Sequence, residues 1–546
     1  MEERADLANL GAMPVPWTNS DPETNTPRRG AVYASKFGVA ADQQLASLAA
    51  IDILKRGGNA ADAAIAAAAV NIVTKPQRTH IGGDVFALVW RRGANTIEAL
   101  NAGGRAPNKA TLDLFPNGID VQGPRACTVP GFPDALLEMH VSHGSFNFDK
   151  LLEPAIRYAE EGFPVSMRLS GAMQMLPGIA GQHGDALRSV FLKDGKPYAP
   201  GEIIRQPDLA ATLKRLVLDG REGFYEGETA KLIADGMSAA GGLIDTEDLS
   251  RQTAHWHDAL QTTYRGLDVY EQALPSQGII LLEALNIVEN FPIADWGFLS
   301  ADTVHVLLEA TKIAFADSHA HMADPEVVDG LPVEMLLSKD YAKKRAAEID
   351  MKRAGEPAPA ILQTATTEFV VADQELAIAF IQSVFSPWGS GFMVPGTGVL
   401  MNNRLRGFNT TPGHPNALEP GKRTMHTLNT FMAMKGEEMV CGGGSPGGDF
   451  QVQTNLQTLT NVVDFSMELQ TAVDTPRWVT LGRGELVMES RYPAAVIEEL
   501  RSRGHDVHVT AAWDPTLQKT QVMATLPGGG WAFASDLRGE GLALGQ

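Results

Sequence analysis

Ala365-Thr366-Thr367-Glu368-Phe369-Val370-Val371-Ala372 begins where a Pro-, Ala- and Thr-rich run, residues 357–365, gives way to an apolar, strand-like segment. A threonine hydroxyl is a poor nucleophile until a neighbouring group takes its proton, and one way to supply that group is to free the residue's own α-amine. Cleavage of the chain before Thr366 creates nucleophile and base together. Threonine is also favoured at strand starts, so the stretch taken alone reads first as an ordinary strand. What decides between the two readings is whether the rest of the chain supplies the other parts of an acyl-transfer site.

Downstream, residues 366–372, 377–383, 431–434 and 439–441 carry strand patterns, followed by a helical pattern over 450–463. Upstream, helical spacing runs over 41–55 and stops at Gly57-Gly58, and 60–73 reads as a second, nearly all-apolar helix. Strands at 85–90 and 96–100 form a hairpin around the turn 91–95. The hairpin runs into Asn101-Ala102-Gly103-Gly104-Arg105-Ala106-Pro107, a loop well placed to present a functional arginine. Further helices are expected at 149–161, 208–218, 279–289 and 303–321, then a charged segment at 339–353. Residues 1–30, with Pro14, Pro16, Pro22 and Pro27, read as a loosely attached arm. The order implies strands sandwiched between helical layers, with no short-period repeat that would suggest a solenoid.

Gly442-Gly443-Gly444-Ser445-Pro446-Gly447-Gly448-Asp449 lies between a strand and the helix at 450–463, so its backbone amides are expected at a helix N-terminus, where they could form an oxyanion hole. A structural turn or a phosphate cradle are the other readings, but no GK[ST] follows and the Rossmann glycine spacing is absent. Paired with Thr366 and its amine, the turn completes the set of nucleophile, base and oxyanion donors.

Composition narrows the partners. The chain has 546 residues, 44% hydrophobic and 20% charged, and a net charge of −20 that repels a phosphate backbone, so nucleic acid is excluded as an expected partner. Its two cysteines, Cys127 and Cys441, have neither disulfide-framework nor zinc spacing and fit a reducing compartment. Residues 1–20 lack the apolar run of a secretion signal, so the expected location is cytoplasmic, and the apolar run 63–73 is too short to cross a bilayer. No cofactor is indicated. His319 and His321 with Asp317 and Asp324 imitate a metal set, as does His255-Trp256-His257, but alternate residues on one element point apart and no metal is expected at either. Ser276-Gln277-Gly278 is neither a nucleophile elbow nor a phosphate loop and reads as a helix start.

These residues resemble the γ-glutamyltranspeptidase family of N-terminal-nucleophile hydrolases. The resemblance spans nearly the whole chain: residues 44–58 with Asn59-Ala60-Ala61-Asp62-Ala63, Ile81-Gly82-Gly83-Asp84, Val129-Pro130-Gly131, Phe315-Ala316-Asp317, Asp324-Pro325, Thr366-Thr367, Gly389-Ser390-Gly391, Asn402-Asn403, Gly421-Lys422-Arg423, Ser445-Pro446-Gly447-Gly448 and Pro476-Arg477-Trp478. It implies an α+β fold, an αββα four-layer sandwich, made as a proenzyme that cuts itself between Ala365 and Thr366. A large fragment, 31–365, and a nucleophile-bearing small fragment, 366–546, would then stay interlocked in one domain. A homodimer of these is left open. By the same resemblance Thr366 is the nucleophile, Gly447 and Gly448 stabilise the oxyanion, and Thr367 and Ser383 flank the nucleophile.

Departures from the family pattern bear on substrate. Members that recognise a γ-glutamyl group carry an acid immediately before the phenylalanine that here is Phe408, where it holds the α-ammonium; here that residue is Gly407. A family glutamine corresponds to Arg404, and the family's carboxylate-gripping arginine falls at Gly103, with Arg105 two residues on. Residues 104–107, 394–398, 415–416 and 422–427 resemble the branch that includes oxamate amidohydrolase. That implies a small acidic amide as substrate, with Arg105, Arg404, His426 and Thr427 as an anion-binding wall. Either arginine alone is also readable as a salt bridge. A γ-glutamyl hydrolase or transpeptidase, a side-chain acylase, or an uncleaved, inactive scaffold are the alternatives. Glu368, where transpeptidases often carry histidine, has no assigned role.

Overall fold

A computed structural model describes residues 29–179, 181–356, 364–482 and 484–546. The arm expected over 1–30 lies almost wholly outside the described residues, as does 357–363 of the run before Thr366.

Two seven-stranded sheets form the centre. Their strands are β1 (Val32–Ala34), β2 (Gly38–Ala41), β3 (Asp84–Arg91), β4 (Ile97–Ala102), β5 (His255–Asp258), β6 (Leu260–Tyr264), β7 (Leu267–Glu271), β8 (Ala365–Ala372), β9 (Leu376–Phe385), β10 (Phe431–Lys435), β11 (Glu438–Gly444), β12 (Gln521–Thr525), β13 (Trp531–Ser535) and β14 (Leu542–Gly545). The first sheet runs β14-β2-β8-β9-β3-β4-β5 and the second β1-β13-β12-β11-β10-β7-β6, with every pairing antiparallel. Helices α1 (Gln44–Lys55), α2 (Ala60–Thr74) and α3 (Phe148–Glu161) cover the first sheet; α4 (Gly278–Val288), α5 (Ala301–His321) and α6 (Phe450–Val463) cover the second.

Three apolar clusters fill the three interfaces of this stack. Ile53, Ile65 and Leu151 of the helices meet Val85, Phe369 and Phe380 of the first sheet. Ile279, Val304 and Leu456 meet Val269, Phe431 and Val522 of the second. Leu88, Val370, Met432, Met523 and Trp531 pack between the sheets. The architecture is therefore αββα. Along β8 the strand period of two sends Phe369 and Val371 to the helical layer and Val370 and Ala372 to the inter-sheet layer. Thr366 and Glu368 share the inter-sheet parity.

α2 is buried along its whole length, which its alanine-rich sequence permits by letting neighbouring backbones close in, and its start is fixed by a reciprocal Asn59–Asp62 capping box. The helix expected from residue 41 begins at Gln44 instead. Gln43 caps it by accepting from the Ala46 amide at 3.3 Å, and Gly38–Ala41 is claimed by pairing with β8. The glycine run also divides: Gly442–Gly444 stay in β11, paired with Gln521–Met523, so the turn proper begins at Ser445. Because β8 and β9 lie between β2 and β3, strands from either side of Thr366 interleave in one sheet. Among the described residues no helix is long and apolar enough to cross a membrane.

Candidate active site

Thr366 is the second residue of β8 and is wholly enclosed. Next to it the β8–β9 ladder is irregular: Ala365 pairs with Phe385 and Thr367 with Gln382, leaving Ser383 and Val384 opposite Thr366. A bulge of this kind re-aims a side chain. Here it turns the Ser383 hydroxyl onto the carbonyl of the preceding peptide, donating to Ala365 O at 2.6 Å while accepting from the Phe385 amide at 2.7 Å. The Thr366 hydroxyl accepts a long 3.4 Å hydrogen bond from Gln451 Nε2, and its carbonyl accepts from Arg78 Nη1 at 3.3 Å. Thr367, on the opposite parity, shares the face of Phe369, and its buried hydroxyl has no partner. It adjoins Thr366 in sequence and not through its side chain.

Ser445 to Gly448 join β11 to α6. Gly447 and Gly448 have φ of +120° and +66°, in the region that favours glycine, and a Cβ at Gly447 would lie 2.3 Å from Gln518 Cδ. The Gly448 carbonyl accepts from the Gln451 amide at 3.0 Å, so the residue that reaches Thr366 is also the one that closes this turn. Gln277 Nε2 holds the turn from the other side, donating to Gly448 O at 2.9 Å and Thr427 O at 2.6 Å. Ser276-Gln277-Gly278 thus does more than start α4.

Glu368 is fully buried, and neither carboxyl oxygen makes a hydrogen bond of good geometry, the Gln521 amide being its one weak donor. Burial, reinforced by the charge of Asp42 and only partly offset by the Gln521 amide, pushes its pKa well above the carboxylate range. The side chain is held neutral, two residues beyond Thr366 on the same side of the strand.

A cavity of about 410 Å³ adjoins the turn, lined among others by Gln277, Phe385, Arg406, Phe408, His426 and Thr427. Behind it, Asp84 at the head of β3 organises three of the four residues expected to bind an anion. Arg404, fully buried, donates from Nε to Asp84 and from Nη1 to Thr427 Oγ1, both at 3.1 Å, and lies 4.4 Å from the Phe385 ring centroid; its Nη2 has no partner. His426 Nδ1 accepts from the Leu428 amide at 3.2 Å, which leaves Nε2 to carry the proton 3.4 Å from Asp84. Burial and then the Arg404 charge lower the His426 pKa to about 4, so the ring is neutral. Burial alone would raise the Asp84 pKa, but the nearby His426 ring, the Arg404 charge and the Gly104 amide hold it below the usual value.

Arg105 does not join this group through its guanidinium, which bonds Glu326 at 2.6 Å and Gly421 O at 3.1 Å, with Arg423 on the other oxygen of Glu326 at 2.8 Å. Of the four residues expected from sequence to form an anion-binding wall, Arg404, His426 and Thr427 lie together and Arg105 does not, and Asp84 already balances Arg404. Two of the residues that imitate a metal set have other partners: Asp317 binds Arg345 and Tyr341, and Asp324 accepts the Arg423 amide. Among the described residues His305, Glu309 and His505 do lie together, with Lys312 Nζ 2.7 Å from Glu309.

Sequence reasoning missed Gln451, Gln277, Arg78 and Arg406. For Gln451 there was a signal, since Gln451, Gln453, Asn455 and Gln457 crowd carboxamides into a helix otherwise suited to a core.

With the geometry in place, comparison decides the family. A family model described as gamma-glutamyltranspeptidase matches residues 46–546. The chain belongs to the γ-glutamyltranspeptidase family. Relatives of this γ-glutamyltranspeptidase-family chain include a glutathione hydrolase-like proenzyme of Bacillus subtilis, 35% identical over 94% of this chain and 99% of that one. An oxamate amidohydrolase proenzyme of Klebsiella pneumoniae is also 35% identical, with the same coverage. A cephalosporin acylase of Bacillus halodurans superposes with a TM-score of 0.90 at 35% identity, covering 95% of this chain and 98% of its own. The protein is an amidohydrolase of this family with its αββα fold.

Proposed function

We propose that the chain cleaves itself between Ala365 and Thr366 and then hydrolyses the amide of a small carboxylate-bearing substrate of the oxamate type. In the first reaction Thr366 Oγ1 adds to the Ala365 carbonyl carbon, the C–N bond breaks, and the hydroxyl proton ends on the threonine nitrogen. Water then splits the resulting ester, giving a carboxylate at Ala365 and a free amine at Thr366. In turnover that amine takes the hydroxyl proton and passes it to the departing ammonia or amine, Gly447 and Gly448 receive the oxyanion, and water resolves the acyl-enzyme.

The observation that carries this reading is the 2.6 Å hydrogen bond from Ser383 to Ala365 O, which polarises the one carbonyl that Thr366 Oγ1 must attack. Gly407 on the cavity wall offers no acidic side chain for an α-ammonium, which favours an acyl group with a carboxylate and no amine over a γ-glutamyl group. The cavity volume favours a second reading, a side-chain acylase with a bulkier leaving group, since about 410 Å³ exceeds what oxamate fills. The large fragment is proposed to span 31–365 and the small one 366–546.

Intact-mass measurement tests the first step: fresh protein should resolve into two fragments that divide at Thr366, whereas Thr366→Ala should persist as one chain without activity. Persistence of the unaltered sequence as one species through long incubation refutes self-cleavage. Faster turnover of γ-glutamyl anilide than of oxamate refutes the substrate assignment.

A further inference from the structure

The arginines suggested by sequence are each spoken for, Arg404 by Asp84 and Arg105 by Glu326. One guanidinium on the cavity wall is not. Arg406 stands in a short 3-10 turn, Arg404–Gly407, and lines the cavity beside Phe385 and Gly407. Its guanidinium makes one hydrogen bond, from Nη1 to Ser386 Oγ at 3.2 Å, and lies 6.0 Å from the Phe385 ring centroid. Among the described residues no carboxylate pairs with it, and burial is the only influence on its ionisation.

We propose that Arg406 receives the carboxylate of the substrate and is the residue that selects acidic amides, an inference resting on the amide-hydrolase reading above. A half-buried guanidinium without a counter-ion has lost part of its hydration and gains most from an anion that can bind two of its N–H groups side by side. The same cavity is lined by Gln277, which holds Gly448 O at 2.9 Å. A substrate carboxylate drawn to Arg406 thereby lies in the cavity that adjoins the turn carrying Gly447 and Gly448. The Arg404–Asp84 pair then acts as a neutral support that fixes Thr427.

The test compares an acidic monoamide with a matched neutral amide, in which a carboxamide replaces the carboxylate, in the unaltered protein, Arg406→Gln and Arg406→Lys. Fragment formation by intact mass confirms that each variant folds and processes. Loss of a charge-assisted hydrogen bond predicts that Arg406→Gln raises KM for the acidic amide about 10- to 100-fold, with far smaller changes in kcat and in KM for the neutral amide. Arg406→Lys should recover part of the loss. An unchanged KM for the acidic amide in processed Arg406→Gln, or equal losses for both amides, overturns the assignment. If the unaltered protein already treats the two amides alike, the acidic-substrate reading fails and this assignment falls with it.

Discussion

Replacing Ser383 with alanine should slow chain scission while leaving the fold intact. In the uncut chain the Ser383 hydroxyl, fully buried, donates to Ala365 O at 2.6 Å. When Thr366 Oγ1 adds to that carbonyl, the oxygen becomes an alkoxide, and a donor already in place strengthens its bond with no reorganisation. Loss of one such donor in an enclosed site costs about 10²- to 10³-fold in rate. A second effect is separable: the Phe385 amide, which donates to Ser383 Oγ at 2.7 Å, loses its acceptor, and an unsatisfied buried amide costs about 1–3 kcal/mol of stability. The assay is a time course of intact mass on protein made rapidly and held at 25 °C, with a denaturation curve on Thr366→Ala and on Thr366→Ala combined with Ser383→Ala to isolate the stability cost. Ser383→Thr keeps the hydroxyl and should restore most of the rate. Scission of Ser383→Ala within about threefold of the unaltered rate would refute the reasoning, since an effect so small is under 1 kcal/mol of barrier.

Two other outcomes follow from the buried charges. Asp84→Ala strands the Arg404 guanidinium, fully enclosed, without its carboxylate, and should cost about 3–5 kcal/mol, read as a lower denaturant midpoint; an unchanged midpoint would mean that the pair carries no such burden. Glu368 keeps its proton in the fold well above its ordinary value of 4.5, while the unfolded chain releases it near that value, so the folded state binds more protons and stability falls as pH rises from there towards the folded-state pKa. Glu368→Gln removes that slope, so the variant should gain on the parent by about 1.4 kcal/mol per pH unit across that window, and a difference that does not change between pH 5 and pH 8 contradicts the neutral assignment.

Much of the frame was legible before any coordinates. The unbroken apolar run 369–372 reads as a strand, and the alanine run of α2 reads as a buried helix, because apolar runs and residue size act locally. Boundaries slipped where a long-range partner outweighed local preference: Gly38–Ala41 is a strand because Phe369–Ala372 lies beside it, and Gly442–Gly444 stay extended because Gln521–Met523 hold them. The candidate nucleophile, Ser383 and the glycine pair were identifiable from residue chemistry and family resemblance. The anion wall was not, because a sequence counts arginines without saying which carboxylate meets them. Asp84 lies 320 positions from Arg404, and Glu326 lies 221 from Arg105, so only the folded chain decides which guanidinium is neutralised and that Arg406 faces the cavity without a counter-ion. Sequence determined which groups the protein possesses and the local shapes of the elements carrying them. Tertiary structure decided which charges are already matched, since pairing depends on distances of a few ångströms between segments that the chain order keeps far apart.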